Sequence, residues 1–164
     1  MRFSLIDRIV EIRPNEGITA VKALTLAEEY LADHFPLFPV MPGVLMLEAM
    51  YEAAAWLVRY SEDFAHSMVL LTEAKAVTYK EFVAPGQLLT VTAEILNQDE
   101  RVTRLKTRGV VDGRDAVGGR LTLTRFNLAD DRPDRSVTDG VVISELRKTW
   151  GLLYSGPAPV EASV

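Results

Sequence analysis

The 164-residue chain predicts an α+β domain in which one apolar helix packs against the concave face of a curved antiparallel sheet. Three observations predict it. The stretch from Val44 to Tyr60 holds no proline or glycine, is rich in leucine, methionine, alanine and glutamate, and up to Val58 carries only Glu48 and Glu52 as charges. Those are good helix formers, and so narrow a polar face suits a helix enclosed on most sides. The segments "LLTVTAEI" (88–95), "RLKTR" (104–108) and "RLTLTRF" (120–126) alternate with period two, the signature of half-buried strands. Finally, "VDGRD" (111–115) sets an Asp-Gly pair between two such segments, a strong hairpin signal.

In chain order, "MRFSLIDRIVEI" reads as a short helix or turn leading into a strand. "NEG" (15–17) is a turn, and "ITAVKALTL", with Ile18, Thr19, Val21 and Thr25, returns as the second arm of a hairpin. Residues 28–42 read as loop, because prolines 36, 39 and 42 disfavour a helix across them. The enclosed helix follows. After it come mostly strands, with "APGQ" (84–87) as a further turn. On the period-two segments, Leu89, Val91, Ala93 and Ile95 share one face, whereas Arg104, Lys106 and Arg108 share a face opposite Leu105. Beyond Phe126 the composition turns polar. "VVISELRKTWGLLYSG" then suggests a short amphipathic helix ending near Gly151 or Gly156, and "PAPVEASV" a frayed end. The expected organisation is one domain over 1–126 and a polar linker with a helical tail over 127–164 that forms no domain of its own.

Hydrophobic residues make up 48% of the chain and charged residues 25%, a globular balance. A net charge of -5 argues against duplex nucleic acid as main partner. Cysteine is absent, so disulfides and thiolate metal sites are excluded and nothing implies secretion. The N-terminus mixes charge with apolar residues too early for a signal peptide, and no apolar run reaches 18 residues, so a cytoplasmic protein without a membrane span is expected. Two histidines without ligand spacing predict no metal site. "GRDAVGGR" lacks the spacing of a phosphate loop, and its glycines suit hairpin or bulge positions. No cofactor is expected.

The candidate chemistry lies in "HFPLFPVMPGVLMLEAM" (34–50). Three prolines stiffen the loop after His34. Gly43 opens the helix, where its amide stands at the positive end of the helix dipole and can stabilise an oxygen gaining negative charge. Glu48 lies one turn into an apolar helix, where burial favours the protonated acid, and Glu52 follows at i+4 on the same face. A neutral His34 as general base and Glu48 as general acid fit β-elimination of water beside a carbonyl. Each residue also has a plainer reading: His34 as a structural or surface histidine, Glu48 as an exposed strip of helix, Gly43 as a helix start. His66, in "RYSEDFAH", reads as solvent-facing.

These residues resemble the β-hydroxyacyl-acyl-carrier-protein dehydratases of fatty acid synthesis, the FabZ type and its FabA relative. The family signature, H-F-P-x-x-P-x-x-P-G-V-L followed by E-A-M, matches at His34, Phe35, Pro36, Pro39, Pro42, Gly43, Val44, Leu45, Glu48, Ala49 and Met50. "LIDRIVEI", "YKEFVAPGQLLTVTAEIL" and "VDGRDAVGGRLTLT" resemble flanking family segments in the right order, so the likeness spans roughly residues 3–125. It implies a hot-dog fold, a central helix wrapped by an antiparallel sheet. It also implies catalysis by His34 and Glu48 with the Gly43 amide on the thioester carbonyl, and no metal or redox cofactor. The partners implied are a phosphopantetheine-bearing acyl carrier protein and a second subunit. Histidine and glutamate of each site come from different chains of a dimer, in some members of a trimer of dimers.

Three departures stand out. Asp33 replaces a family glycine and would favour an imidazolium at His34; Glu52 stands where glutamine is frequent; Gln87 replaces an aspartate. They leave a hot-dog acyl thioesterase and a non-catalytic acyl-binding or assembly subunit as alternatives. Residues 101–125 carry seven arginines and lysines against two aspartates. This basic stretch suits either a solvated outer face or the docking of an acidic carrier protein.

Overall fold

The computed structural model describes residues 4–156. The expected frayed end, "PAPVEASV", lies outside the described residues. After a bend over residues 4–7, β1 (Arg8–Arg13) and β2 (Gly17–Ala23) form the first hairpin, turning at Asn15 with φ 61°. Residues 28–42 are loop except for a 3₁₀ turn at Glu29–Ala32. Helix α1 (Gly43–Ser61) follows, then β3 (Met68–Tyr79), β4 (Leu88–Gln98), β5 (Val102–Val111) and β6 (Arg114–Phe126). Asp112 and Gly113, at φ 49° and 75°, join β5 to β6; two successive positive φ angles are what a primed hairpin turn requires.

All strands pair antiparallel in one sheet ordered β1-β2-β4-β5-β6-β3. The sheet wraps α1, which touches β2 through β6. This is the hot-dog arrangement, with the core between helix and sheet. From the strands come Ala20, Leu89, Val91, Ala93, Leu105, Leu121 and Leu123; from the helix Met46, Ala49, Met50 and Ala53 to Val58, all buried. Each fully buried leucine or valine contributes about 1.5–3 kcal/mol. The run Ala53-Ala54-Ala55 lets the sheet approach the helix closely. Arg104, Lys106 and Arg108 face outward from β5, as the alternation requires.

One strand carries no clear sequence signal, and two readings need correction. Strand β3 was not marked by any clean alternation and is largely exposed along its length. It forms a sheet edge, and a bulge with Ala76 at φ 51° interrupts its register. The last helix, α2 (Ser136–Leu153), is 18 residues long and begins inside the polar stretch that reads as linker. It starts there because Asp139 is buried, and its carboxylate accepts the Leu128 and Ala129 amides at 2.9 Å each and the Ser67 hydroxyl. At its far end Trp150 stacks on Tyr60, with ring centroids 4.5 Å apart, and meets Phe64 edge-on. Finally, His66 is half-buried rather than solvent-facing, its Nδ1 lying 3.0 Å from Glu62 Oε2.

Candidate active site

The segment carrying His34 is fixed from below. Buried Lys22 on β2 pairs with Glu28 at 2.7 Å and Asp7 at 3.4 Å, anchoring the start of the 3₁₀ turn. The Tyr30 carbonyl then accepts the amides of Asp33 and His34. The proline loop is held at its other end, where the Met41 amide donates to Val83 at 2.8 Å. Between these anchors the loop doubles back, and His34 Nδ1 sits 3.2 Å from the Val40 carbonyl oxygen. A carbonyl can only accept. Nδ1 therefore carries a hydrogen, and in the neutral ring Nε2 is the nitrogen with the lone pair a base needs.

His34 lines a cavity of about 310 Å3 with Met41, Gly43, Met46, Tyr79 and Phe82. Gly43 is the first residue of α1, so its N–H has no intrahelical partner. A side chain would be crowded there: a Cβ on Gly43 would lie 3.1 Å from Tyr79 Cε1, so the ring would have to give way by a few tenths of an ångström. An acceptor oxygen entering the cavity thus finds a free amide at a helix N-terminus and, nearby, a basic imidazole nitrogen. Sequence reading did not single out Tyr79, Met46 and Phe82 as wall residues. The available signal was the aromatic pair Tyr79 and Phe82 in "YKEF".

Glu48 does not line this cavity. The reason is helical geometry. At 3.6 residues per turn, Gly43 and Met46 project about 140–160° away from Glu48, on the other side of α1. One chain therefore does not bring His34 and Glu48 together. Burial pushes the Glu48 carboxyl above its ordinary value, which favours a proton-bearing acid. Glu52 is perturbed further, to about 7, by burial and then by the charge of Glu48. Its two oxygens accept the Leu5 amide at 3.1 and 3.0 Å, and the Ser4 hydroxyl lies within 3.4 Å. Asp33 ends the 3₁₀ turn in helical conformation and is exposed; among the described residues no ion pair joins it to His34. No cluster able to hold a metal ion occurs among the described residues, and no helix among them is long and apolar enough to cross a membrane.

Comparison with known proteins gives a consistent placement. A family profile described as "FabA-like domain" matches residues 1–120. The chain is 37% identical over 119 residues to the 3-hydroxyacyl-acyl-carrier-protein dehydratase FabZ of Ruminiclostridium cellulolyticum, covering 73% of this chain and 84% of that one. It is 35% identical over 126 residues to the FabZ of Levilactobacillus brevis, covering 77% and 84%. Among solved structures, the dehydratase heterocomplex ApeI:P from Xenorhabdus doucetiae superposes with TM-score 0.63 at 18% identity, over 77% of this chain and 85% of that one. The acetyl-CoA-bound smu.793 protein of Streptococcus mutans gives 0.60 at 9% identity, over 77% and 93%. At such identities these two likenesses speak for the fold alone.

Proposed function

The chain belongs to the FabA-like family, and from that membership we propose that it dehydrates a 3-hydroxyacyl thioester held on acyl carrier protein, with His34 as base and Glu48 of a second subunit as acid. The enzyme is a hydro-lyase of the 3-hydroxyacyl-acyl-carrier-protein dehydratase type. The observation that supports the residue roles is the His34–Val40 contact, which takes up Nδ1 and leaves Nε2 as the ring nitrogen available to substrate in the cavity that Gly43 also lines. With the thioester oxygen on that amide, charge developing at the carbonyl is stabilised while Nε2 takes a proton from C2. The C3–O bond then breaks, and the Glu48 carboxyl gives its proton to the departing hydroxyl. The products are water and the 2-enoyl thioester. No cofactor enters this balance.

A second copy of the chain supplies what one copy lacks. Around the mouth of the cavity Leu37 is fully exposed, and Phe35, Phe38, Val44, Tyr79 and Phe82 are all more than 45% exposed. So large an apolar patch suits a protein interface. The free edge of β3, 12 residues long, offers unpaired backbone for strand addition. In that dimer the Glu48 flank of one α1 faces the His34 cavity of the other. The basic outer face is the proposed carrier-docking surface. Lys106 and Arg120 are cross-strand partners of like charge in a cavity of about 490 Å3 that also takes in Lys80, a residue shared with the His34 cavity. Directly opposed cations favour an acidic partner.

The test is subunit complementation. His34→Ala and Glu48→Gln homo-oligomers should each be inactive, and mixing them should restore one intact site per mixed dimer. Absence of recovery after verified subunit exchange would exclude the shared site. Following enoyl formation and free thiol release in one assay separates dehydration from thioester hydrolysis; thiol release alone would establish a thioesterase instead.

A further inference from the structure

Lys22 is an unusual residue for its place. It stands on β2, in register with Leu89 of β4, and is only 5% exposed. A buried ammonium is costly unless it is paired. Burial by itself would loosen its proton, but the bond to Glu28 and the charges of Asp7 and Glu28 hold that proton more tightly than in an ordinary lysine. The two carboxylates belong to different segments. Asp7 lies in the N-terminal bend, where its other oxygen accepts the Ala23 amide at 2.7 Å. Glu28 precedes the 3₁₀ turn, yet its side chain caps none of the turn's amides and goes to Lys22 instead, 2.7 Å from Nζ. From Glu28 the route to His34 is short. The Glu28 carbonyl accepts the Leu31 amide at 3.1 Å, and the Tyr30 carbonyl accepts the His34 amide at 3.1 Å. Among the described residues no other side-chain ion pair or hydrogen bond ties residues 28–33 to the sheet. Leu31 seats the turn in the core, but apolar contact is non-directional, so the ion pair is what fixes the turn's position along the sheet.

We propose that Lys22 is a positioning residue for the dehydration: acting through Glu28 and the 3₁₀ turn, it sets where the His34 imidazole stands. The inference rests on the dehydratase reading of His34. A base must stand within hydrogen-bond reach of the proton it takes, and a misplacement of about 1 Å can cost roughly 100-fold in rate. The Nδ1 contact with Val40 orients the ring only relative to the proline loop. That loop is held at its far end by the Met41 amide on Val83 and at its near end by Lys22 on Glu28. Without the near anchor the imidazole hangs from the far one. The Gly43 amide, which meets the thioester oxygen, belongs to α1 and not to this turn. Loosening the anchor therefore disturbs the proton transfer and spares the grip on the substrate.

The experiment uses the full chain and follows dehydration of a 3-hydroxyacyl pantetheine thioester, thermal unfolding, and the nitrogen resonances of the His34 ring. Lys22→Met and Glu28→Gln should each lower kcat about 10- to 100-fold, keep KM within about 2-fold of wild type, and shift or broaden the ring resonances. The two residues act as a unit, so the double variant should lose little more than Lys22→Met alone. Asp7→Asn removes the other carboxylate, whose side chain is 45% exposed, and leaves the His34 turn anchored; it should keep kcat within about 2-fold of wild type. A role in stability alone would make kcat follow Tm across the series, and that result overturns the inference. So does a normal kcat in folded Lys22→Met, or a loss in Asp7→Asn equal to that in Glu28→Gln. Where Lys22→Met does not fold, Glu28→Gln against Asp7→Asn decides in the same way. Absence of turnover in the wild type sinks the dehydratase reading; the ring resonances then decide this one, and resonances unchanged in Glu28→Gln overturn it.

Discussion

Glu52→Gln offers the sharpest energetic test, because the perturbation is chemical and nearly isosteric. In the folded chain the Glu52 carboxyl is raised from 4.5 to about 7, chiefly by burial. Between those values the folded protein keeps a proton that the unfolded chain has released. Stability from this group is therefore fully present below the unfolded value and is lost as pH rises through the folded one. At about 1.4 kcal/mol per unit the loss amounts to about 3 kcal/mol by pH 8.5. Glutamine carries no charge to desolvate and still accepts the Leu5 amide with its carbonyl. The variant should match wild type near pH 4.5 and exceed it by up to about 3 kcal/mol at pH 8.5, roughly 6–12 °C in Tm for a chain of this size. The assay is thermal or urea unfolding from pH 4.5 to 8.5 at one protein concentration, since an oligomer's stability depends on it. Parallel curves for the two proteins, or a less stable variant at pH 8.5, would refute the burial argument.

Other outcomes are equally specific. His34→Ala and Glu48→Gln should each lower kcat about 10²–10⁴-fold with unfolding curves close to wild type, as measured on carrier-bound substrate; near-normal turnover in either would remove that residue from catalysis. Gly43→Ala must displace the Tyr79 ring, which would otherwise stand 3.1 Å from the new methyl, so kcat/KM should fall up to roughly 100-fold with little change in Tm. Charge reversal at Lys106 and Arg120 should raise KM for the carrier-bound substrate far more than for a short pantetheine thioester, whereas reversal of Arg108 should do less because Asp115 already pairs with it at 2.5 Å; equal effects on both substrates would count against docking there. Trp150→Ala, which removes the aromatic stack on Tyr60, should cost at most about 3 kcal/mol in unfolding experiments, and an unchanged stability would show that α2 is not held there.

What the sequence determined by itself is what short-range rules govern. The extent of α1 follows from a run of helix formers between Pro42 and Glu62, and β4, β5 and β6 from alternation that each strand's two unlike faces impose. The β5–β6 turn follows from the positive φ that Asp112-Gly113 accepts. His34 and Glu48 stood out as candidates because prolines and an apolar helix make any titratable residue among them conspicuous, and Gly43 because it opens that helix. Tertiary structure decided the rest. Strand β3 is exposed on both faces at a sheet edge and carries a bulge, so no period survives in "MVLLTEAKAVTY". The start of α2 depends on Asp139 reaching Ser67, 72 residues away in sequence. Glu52 reads as a second channel acid, yet its burial and its Leu5 partner come from the far end of the chain. The hydrogen-bond partner that occupies Nδ1 of His34 depends on a loop closing onto Val40. Local sequence puts His34 and Glu48 14 residues apart. Only the packing of α1, with Gly43 and Met46 toward His34, turns Glu48 to the opposite flank, because a helix presents each residue to one direction and the fold chooses which directions meet.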